Sequence, residues 1–199
     1  MIIIRDDDIL VASRSYSDPT AQFRHVHELI KSAPNFLHVP TILVSEIQEF
    51  PTVIELIKEE TANGFMQPEC HGLHHIDYGK LSKEEVVEHL KICKDFMFNQ
   101  FNVIPKKFYT PWGAFQPHIH EAAAEVDMIV IGVNNALFLE GKGGMIEGLK
   151  AGRPMADFDG AEFLWHWWNA GSRLARVCAV ARYGSWEEAS KAQPKLFRE

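Results

Sequence analysis

A chain of 199 residues that is 46% hydrophobic and 24% charged has the make-up of a folded globular protein with a substantial buried core, which excludes disordered, collagen-like and coiled-coil classes. Its 20 Lys and Arg against 27 Asp and Glu leave a formal charge of -7, without the concentrated basic face that nucleic-acid binding requires. No apolar run approaches the roughly 20 residues of a membrane span, and Ile2-Ile3-Ile4 passes at once into charge rather than through the basic start and long apolar segment of a signal peptide.

In chain order, Ile2 to Arg5 reads as a strand, followed by a helix over Thr20 to Ser32 opened by the Asp18-Pro19 turn. Phe36 to Val44 is an apolar strand interrupted by Pro40. Pro51 suits the first turn of a helix carrying Val53, Ile54, Leu56 and Ile57, with Asn63-Gly64 as its stop. Phe65 to Cys70 is the third strand expected and delivers His71 at its end. Ser82 with Glu85 three residues on forms a capping box, and Val86, Leu90, Cys93 and Met97 continue it as one apolar stripe. Lys107 to Thr110 is a short strand, Pro117 to Val126 a helix, and Met128 to Val133 a strongly apolar strand. The glycine-rich stretch Ala136 to Asp159 reads as loops around short strands, Phe163 to Trp167 as the last strand and Ser185 to Ala192 as a terminal helix. Strands alternating with helices imply parallel pairing, one domain over 1–199, and ligand binding at the carboxyl ends of the strands.

Chemistry-bearing residues fall at those ends. His71 and His75 have the spacing of two ligands on one metal, and a catalytic zinc takes three protein ligands. The Asp6-Asp7-Asp8 run is the best source of the third, because adjacent carboxylates repel and are poor strand formers unless a cation, a proton or a base role compensates. Two imidazoles and one carboxylate suit zinc and tolerate other divalent transition metals. A neighbouring Asp could then take a proton from attacking water, and His166, flanked by Trp165, Trp167 and Trp168, could donate one to the leaving group. Cys70 adjoins His71 but reads as a buried strand thiol. With Cys93 and Cys178 it makes an odd, widely spaced set lacking CxxC, which points to reduced thiols and a cytoplasmic location.

The order of Asp-Asp after the first strand, HGxxH after the third, a Pro111-Trp112-Gly113 turn, and an apolar strand ending Leu164-Trp165-His166 resembles the NodB-homology polysaccharide deacetylases, carbohydrate esterase family 4, over Ile2 to Trp168. The resemblance implies an α/β fold, a distorted (β/α) barrel of about seven mostly parallel strands. It implies a hydrolase removing N-acetyl groups from an amino sugar or polysaccharide with one divalent metal, most plausibly zinc. Asp7 would be the base, the Trp112 amide the oxyanion donor and His166 the acid, with Asp8, His71 and His75 holding the metal. Tyr109, Pro111 and Trp165 would meet substrate.

A second register would give the two Asp roles to Asp6 and Asp7. The first is preferred because related deacetylase-like sequences often carry Arg, any residue, Asp-Asp and an apolar residue, as Arg5 to Ile9 does. His74 falls outside the ligand set. The chain departs from the pattern at Tyr109, where the family has the Arg that braces its catalytic Asp; Arg153 is a candidate substitute, and Glu140, Asp157 and Asp159 are candidates to tune His166. Alternatives are an amide hydrolase acting on a small non-sugar substrate and a non-catalytic sugar-binding domain. Surface positions are expected for His25, His27 and His89.

Overall fold

The structure, a computed structural model, describes residues 1–10, 18–132, 137–138, 144–166 and 172–198, with backbone alone at 137–138 and 165–166. Its elements are β1 (Ile2–Asp7), α1 (Pro19–Lys31), β2 (Phe36–Leu43), the single turn α2 (Val44–Ile47), α3 (Pro51–Ala62), β3 (Glu69–Gly72), α4 (Lys83–Phe101), β4 (Lys107–Tyr109), α5 (Pro117–Glu125), β5 (Ile129–Ile131), β6 (Leu137–Phe138), α6 (Met145–Lys150), β7 (Glu162–His166), α7 (Ser172–Tyr183) and α8 (Trp186–Ala192). The strands form one sheet in the order β5-β4-β3-β2-β1-β7-β6. All pairings among the described residues are parallel. Six strands have three residues or more, and they curl into a half-barrel, the distorted (β/α) barrel expected; β6 contributes only two residues.

Most expected elements are present with bounds shifted by a few residues. The third strand starts at Glu69 rather than Phe65, since Gly64 takes φ +77° and Pro68 cannot donate to a ladder; Met66 makes only an isolated bridge to His38. Pro40 sits where the pairing of β2 with β1 ends and that with β3 begins, so its missing N–H interrupts neither ladder. Ser82 and Glu85 form the reciprocal capping box of α4, with Glu85 N–H donating to Ser82 Oγ over 3.2 Å and Ser82 N–H to Glu85 Oε2 over 2.7 Å.

Besides the single turn α2, two helices lie where none is expected. In the stretch read as loops around short strands, α6 buries Met145, Ile146 and Leu149, a helical spacing set among glycines. α7 buries Leu174, Val177 and Cys178, also at helical spacing.

Strand alternation sorts the sheet into two unlike faces. Ile2, Ile4, Ile42, Cys70, Phe108 and Phe163 point outwards into two apolar clusters beneath the helices. The register aligns Arg5, Asp7, Thr41, Glu69, His71, Lys107, Tyr109 and Glu162 on the inner face. Thus the concave side of this sheet carries a polar and charged cluster beside Ile3, Leu37, Val39 and Leu164, and Glu69 shows how such burial is tolerated. Burial raises its carboxyl above the usual range, while backbone N–H groups of Lys106 and Lys107 donate to Oε2 over 3.1 and 3.0 Å.

One polar cluster lies on the outer face. His27 of α1 is fully buried rather than at the surface, its Nδ1 3.2 Å from Nδ1 of His38 on β2. His27 Nε2 lies 3.1 Å from Glu60 Oε2, Lys31 Nζ donates to the same carboxylate over 2.8 Å, and His38 Nε2 is 3.5 Å from Asp6 Oδ2. Burial lowers His38 well below the ordinary 6.5, with the charge of His27 adding to it; burial also lowers His27, against the opposing pull of Glu60.

Both rings therefore stay neutral in the folded chain at pH values where the unfolded chain protonates them. Folding stability is expected to be unaffected by these groups above pH 7 and to fall as pH drops below about 6.5, by up to about 1.4 kcal/mol per pH unit for each ring. Denaturant titrations at stepped pH check this: His27→Leu should make the slope between pH 6.5 and 5 shallower, and an unchanged slope would assign it to other groups.

Candidate functional site

The carboxyl end of β1 leaves the strand through Asp8, which takes φ +58°, a left-handed conformation open to Asp at modest cost. That turn directs the Asp8 carboxylate to the end of β3, where Oδ1 lies 2.7 Å from His71 Nε2 and 2.8 Å from His75 Nε2. Gly72 shapes the other side. Its φ is +117°, and a Cβ there would come within 2.5 Å of the Tyr78 hydroxyl, which accepts a hydrogen bond from Leu73 N–H over 2.8 Å. The chain can therefore fold back from His71 and bring His75 beside it, ring centroids 5.9 Å apart.

Ligand atoms of Asp8, His71 and His75 all lie within 4.8 Å of one another. Burial pushes Asp8 up, but the hydrogen bonds and charges of His71 and His75 outweigh it and hold this carboxyl far below the usual range. His71 Nδ1 is 2.6 Å from the Tyr109 carbonyl oxygen, an acceptor, so Nδ1 carries a proton and Nε2 is the nitrogen that would turn a lone pair to a bound ion. Two imidazole nitrogens and one carboxylate oxygen, with the tautomer of one ring fixed from behind, fit a divalent zinc-type ion. Cys70 is buried on the outer face, away from this group, and His74 is exposed, edge-on to His89 at 5.7 Å.

Asp7 is 4% exposed on the inner face beside the triad. Arg5 Nη2 donates to its Oδ2 over 2.8 Å and Thr41 Oγ1 donates to its Oδ1 over 3.0 Å. Asp6 points away, towards His38, whereas Asp8 is the Asp grouped with His71 and His75. Arg5, Thr41 and Glu162 are absent from the residues expected there. Alternation alone puts Arg5 and Asp7 on one face, but Glu162 joins them only through the pairing of β1 with β7.

Trp112 forms the rim. It takes φ +58° within the single turn Pro111–Gly113, a conformation that costs a bulky residue on the order of 1–3 kcal/mol. The residue is 74% exposed and its ring lies 5.1 Å from that of His75, with Phe115 53% exposed nearby in sequence. Hydrogen bonds of the turn come from the N–H groups of Gly113 and Ala114.

Tyr109 and Pro111, expected to meet substrate, are buried instead. Tyr109 points into the half-barrel, where its hydroxyl donates to Glu162 Oε2 over 3.0 Å; burial and the negative charge of Glu162 push the phenol well above its ordinary range. Arg153 is far from the role suggested for it: half exposed, it pairs with Asp157 and covers the Phe158 ring. Asp157 and Asp159 precede the start of β7, at the opposite end of the strand from the His166 backbone; Glu140 lies outside the described residues. The backbone of His166 pairs with Asp7 and that of Trp165 with Asp6. The side chains of Trp165 and His166, and all of Trp167 and Trp168, lie outside the described set.

No protein-family model and no curated protein matches this chain. Solved structures do match it. A CE4 family pseudoenzyme from Bacillus anthracis aligns with a TM-score of 0.61 at 14% identity, over 98% of this chain and 60% of its own. A peptidoglycan deacetylase from Bacillus subtilis gives 0.60 at 15% identity, over 97% and 91% of the two chains. A family 4 acetyl xylan esterase from Clostridium thermocellum, solved with a cobalt ion, gives 0.62 at 12% identity, over 89% and 81%. The chain thus has the fold of the family 4 carbohydrate esterases and NodB-homology deacetylases, and spans 60% of the Bacillus anthracis protein.

The triad is expected to bind one zinc ion per chain. Calorimetric titration of metal-stripped protein should show His71→Ala, His75→Ala and Asp8→Asn each losing more than about 100-fold in affinity, because even changes behind a ligand typically cost 10–100-fold. Wild-type affinity in all three would remove the site.

Proposed function

We propose that this chain is a metal-dependent deacetylase, hydrolysing the acetamide of an amino sugar. The observation that carries the proposal is the convergence of Asp8, His71 and His75 beside an ion-paired Asp7. A divalent ion held by the triad would polarise the acetyl carbonyl and acidify water.

The remaining work falls to the chain's own groups. Asp7, its carboxylate held at both oxygens, accepts the proton of the attacking water. The Trp112 N–H, in the turn after β4, is assigned to the oxygen on which charge develops. His166, opposite Asp7 in the β1–β7 register, is assigned to protonating the departing amine; this assignment rests on that register and on the Leu164-Trp165-His166 sequence. The exposed Trp112 ring offers an apolar platform of the kind that sugar rings stack upon, which favours a carbohydrate over a small cyclic amide. Departure from the family at Tyr109 supported a non-catalytic reading, and that support weakens because a guanidinium still pairs with Asp7.

With zinc or cobalt supplied, acetate release is expected from N-acetylated amino sugars and their oligomers. Asp7→Asn should lower kcat by about 10²- to 10⁴-fold while zinc affinity stays near wild type. Turnover of cyclic amides without acetate release from any sugar would overturn the substrate choice.

A further inference from the structure

Arg5 is 1% exposed, one of the largest side chains fully buried in this protein, and it lies on the charged inner face two residues before Asp7. Residues i and i+2 of a strand share a face, so the guanidinium reaches Asp7 from within the same strand. Nη2 donates to Asp7 Oδ2 over 2.8 Å and Nη1 to Glu162 Oε1 over 3.2 Å, while Cζ sits 4.5 Å over the centre of the Tyr109 ring. Tyr109 in turn donates its hydroxyl to the second oxygen of Glu162, which Lys107 Nζ approaches to 3.4 Å. Arg5 Nε has no hydrogen-bond partner among the described residues.

Stability is a poor explanation for this arrangement. Buried ion pairs recover little more than their desolvation cost, and apolar residues of similar volume commonly do as well or better. A guanidinium whose Nε finds no hydrogen-bond partner among the described residues is a costly filling for this space. We propose that Arg5 is a positioning residue for Asp7, itself set in place by the Tyr109 ring and Glu162; this rests on Asp7 being the base.

The geometry fits that task. An ionised carboxylate has about four acceptor directions, and Arg5 and Thr41 take one on each oxygen. The carboxylate plane is fixed, and the contacts given among the described residues leave its remaining directions to a proton from water. Arg5 touches none of Asp8, His71 or His75 in these contacts, so orientation of the base is separable from metal binding.

Arg5→Lys keeps the charge but lacks the fork that spans Asp7 and Glu162. In a crystal structure of this variant with zinc, the Asp7 carboxylate should rotate away from Thr41 while Asp8, His71 and His75 stay in place. Acetate-release assays should show kcat down about 10- to 100-fold at similar KM, as expected when a reacting group is misplaced by about 1 Å, with zinc affinity unchanged. Tyr109→Phe, which keeps every charge and the stacked ring, should shift kcat in the same direction by less. An unmoved Asp7 with wild-type kcat in Arg5→Lys would overturn the proposal, and so would zinc affinity falling in parallel with kcat, the mark of general damage to the strand end. If the wild-type protein releases no acetate, the deacetylase reading fails, whereas the position of Asp7 in the variant crystal still decides the role of Arg5.

Discussion

Three consecutive carboxylates at the end of a parallel strand can coexist only if each faces a different polar partner, and the geometry at residues 6 to 8 meets that constraint. Alternation sends Asp6 outwards, towards His38, and Asp7 inwards, onto Arg5 and Thr41. Asp8 escapes the alternation because the backbone turns left-handed there, at φ +58°, and lifts its carboxylate to His71 and His75. Three adjacent residues thus serve a buried polar cluster, an ion-paired carboxylate and a candidate metal centre. The mutual repulsion that makes the run costly in a plain strand also keeps the three directions distinct.

The two faces of the sheet divide the labour of folding and chemistry. Apolar burial is concentrated on the outer face, under the helices, where Phe108, Phe163, Ile4 and Ile42 are fully enclosed. With stability drawn from that side, the inner face can hold Arg5, Glu69, Lys107, Tyr109 and Glu162, each of which would be expensive alone. The His27–His38 pair is the exception, a polar group set in the apolar layer, and its neutral rings tie stability to pH without touching the triad.

How much of this was legible in the sequence depended on how local the information is. The His71 and His75 spacing, the carboxylate run, the Pro111-Trp112-Gly113 turn and the Ser82–Glu85 cap are each written within a few residues, and each corresponds to a local structure. The fate of His27 was not, because the ring's partners, His38 and Glu60, lie on other elements and a helical His reads equally well as exposed. α7 carries its own helical signal in Leu174, Val177 and Cys178. The guanidinium facing Asp7 is Arg5 rather than Arg153, and period-two alternation alone places Arg5 on the Asp7 face. What the sequence could not convey was Glu162, which enters only when β7 pairs with β1 out of chain order.

Tyr109 joins the two halves of the site through different parts of one residue. Its carbonyl oxygen accepts from His71 Nδ1 and so fixes which nitrogen faces the candidate metal; its ring and hydroxyl bear on Arg5 and Glu162 and so on Asp7. The first contact depends on where β4 runs, not on which side chain stands there. Residue identity at 109 is therefore free to vary with respect to the metal ligands, but is tied to wherever the guanidinium beside Asp7 originates. With Arg5 supplying that group from β1, position 109 must offer a flat, buried partner for it, and a tyrosine whose hydroxyl holds Glu162 in line meets both requirements.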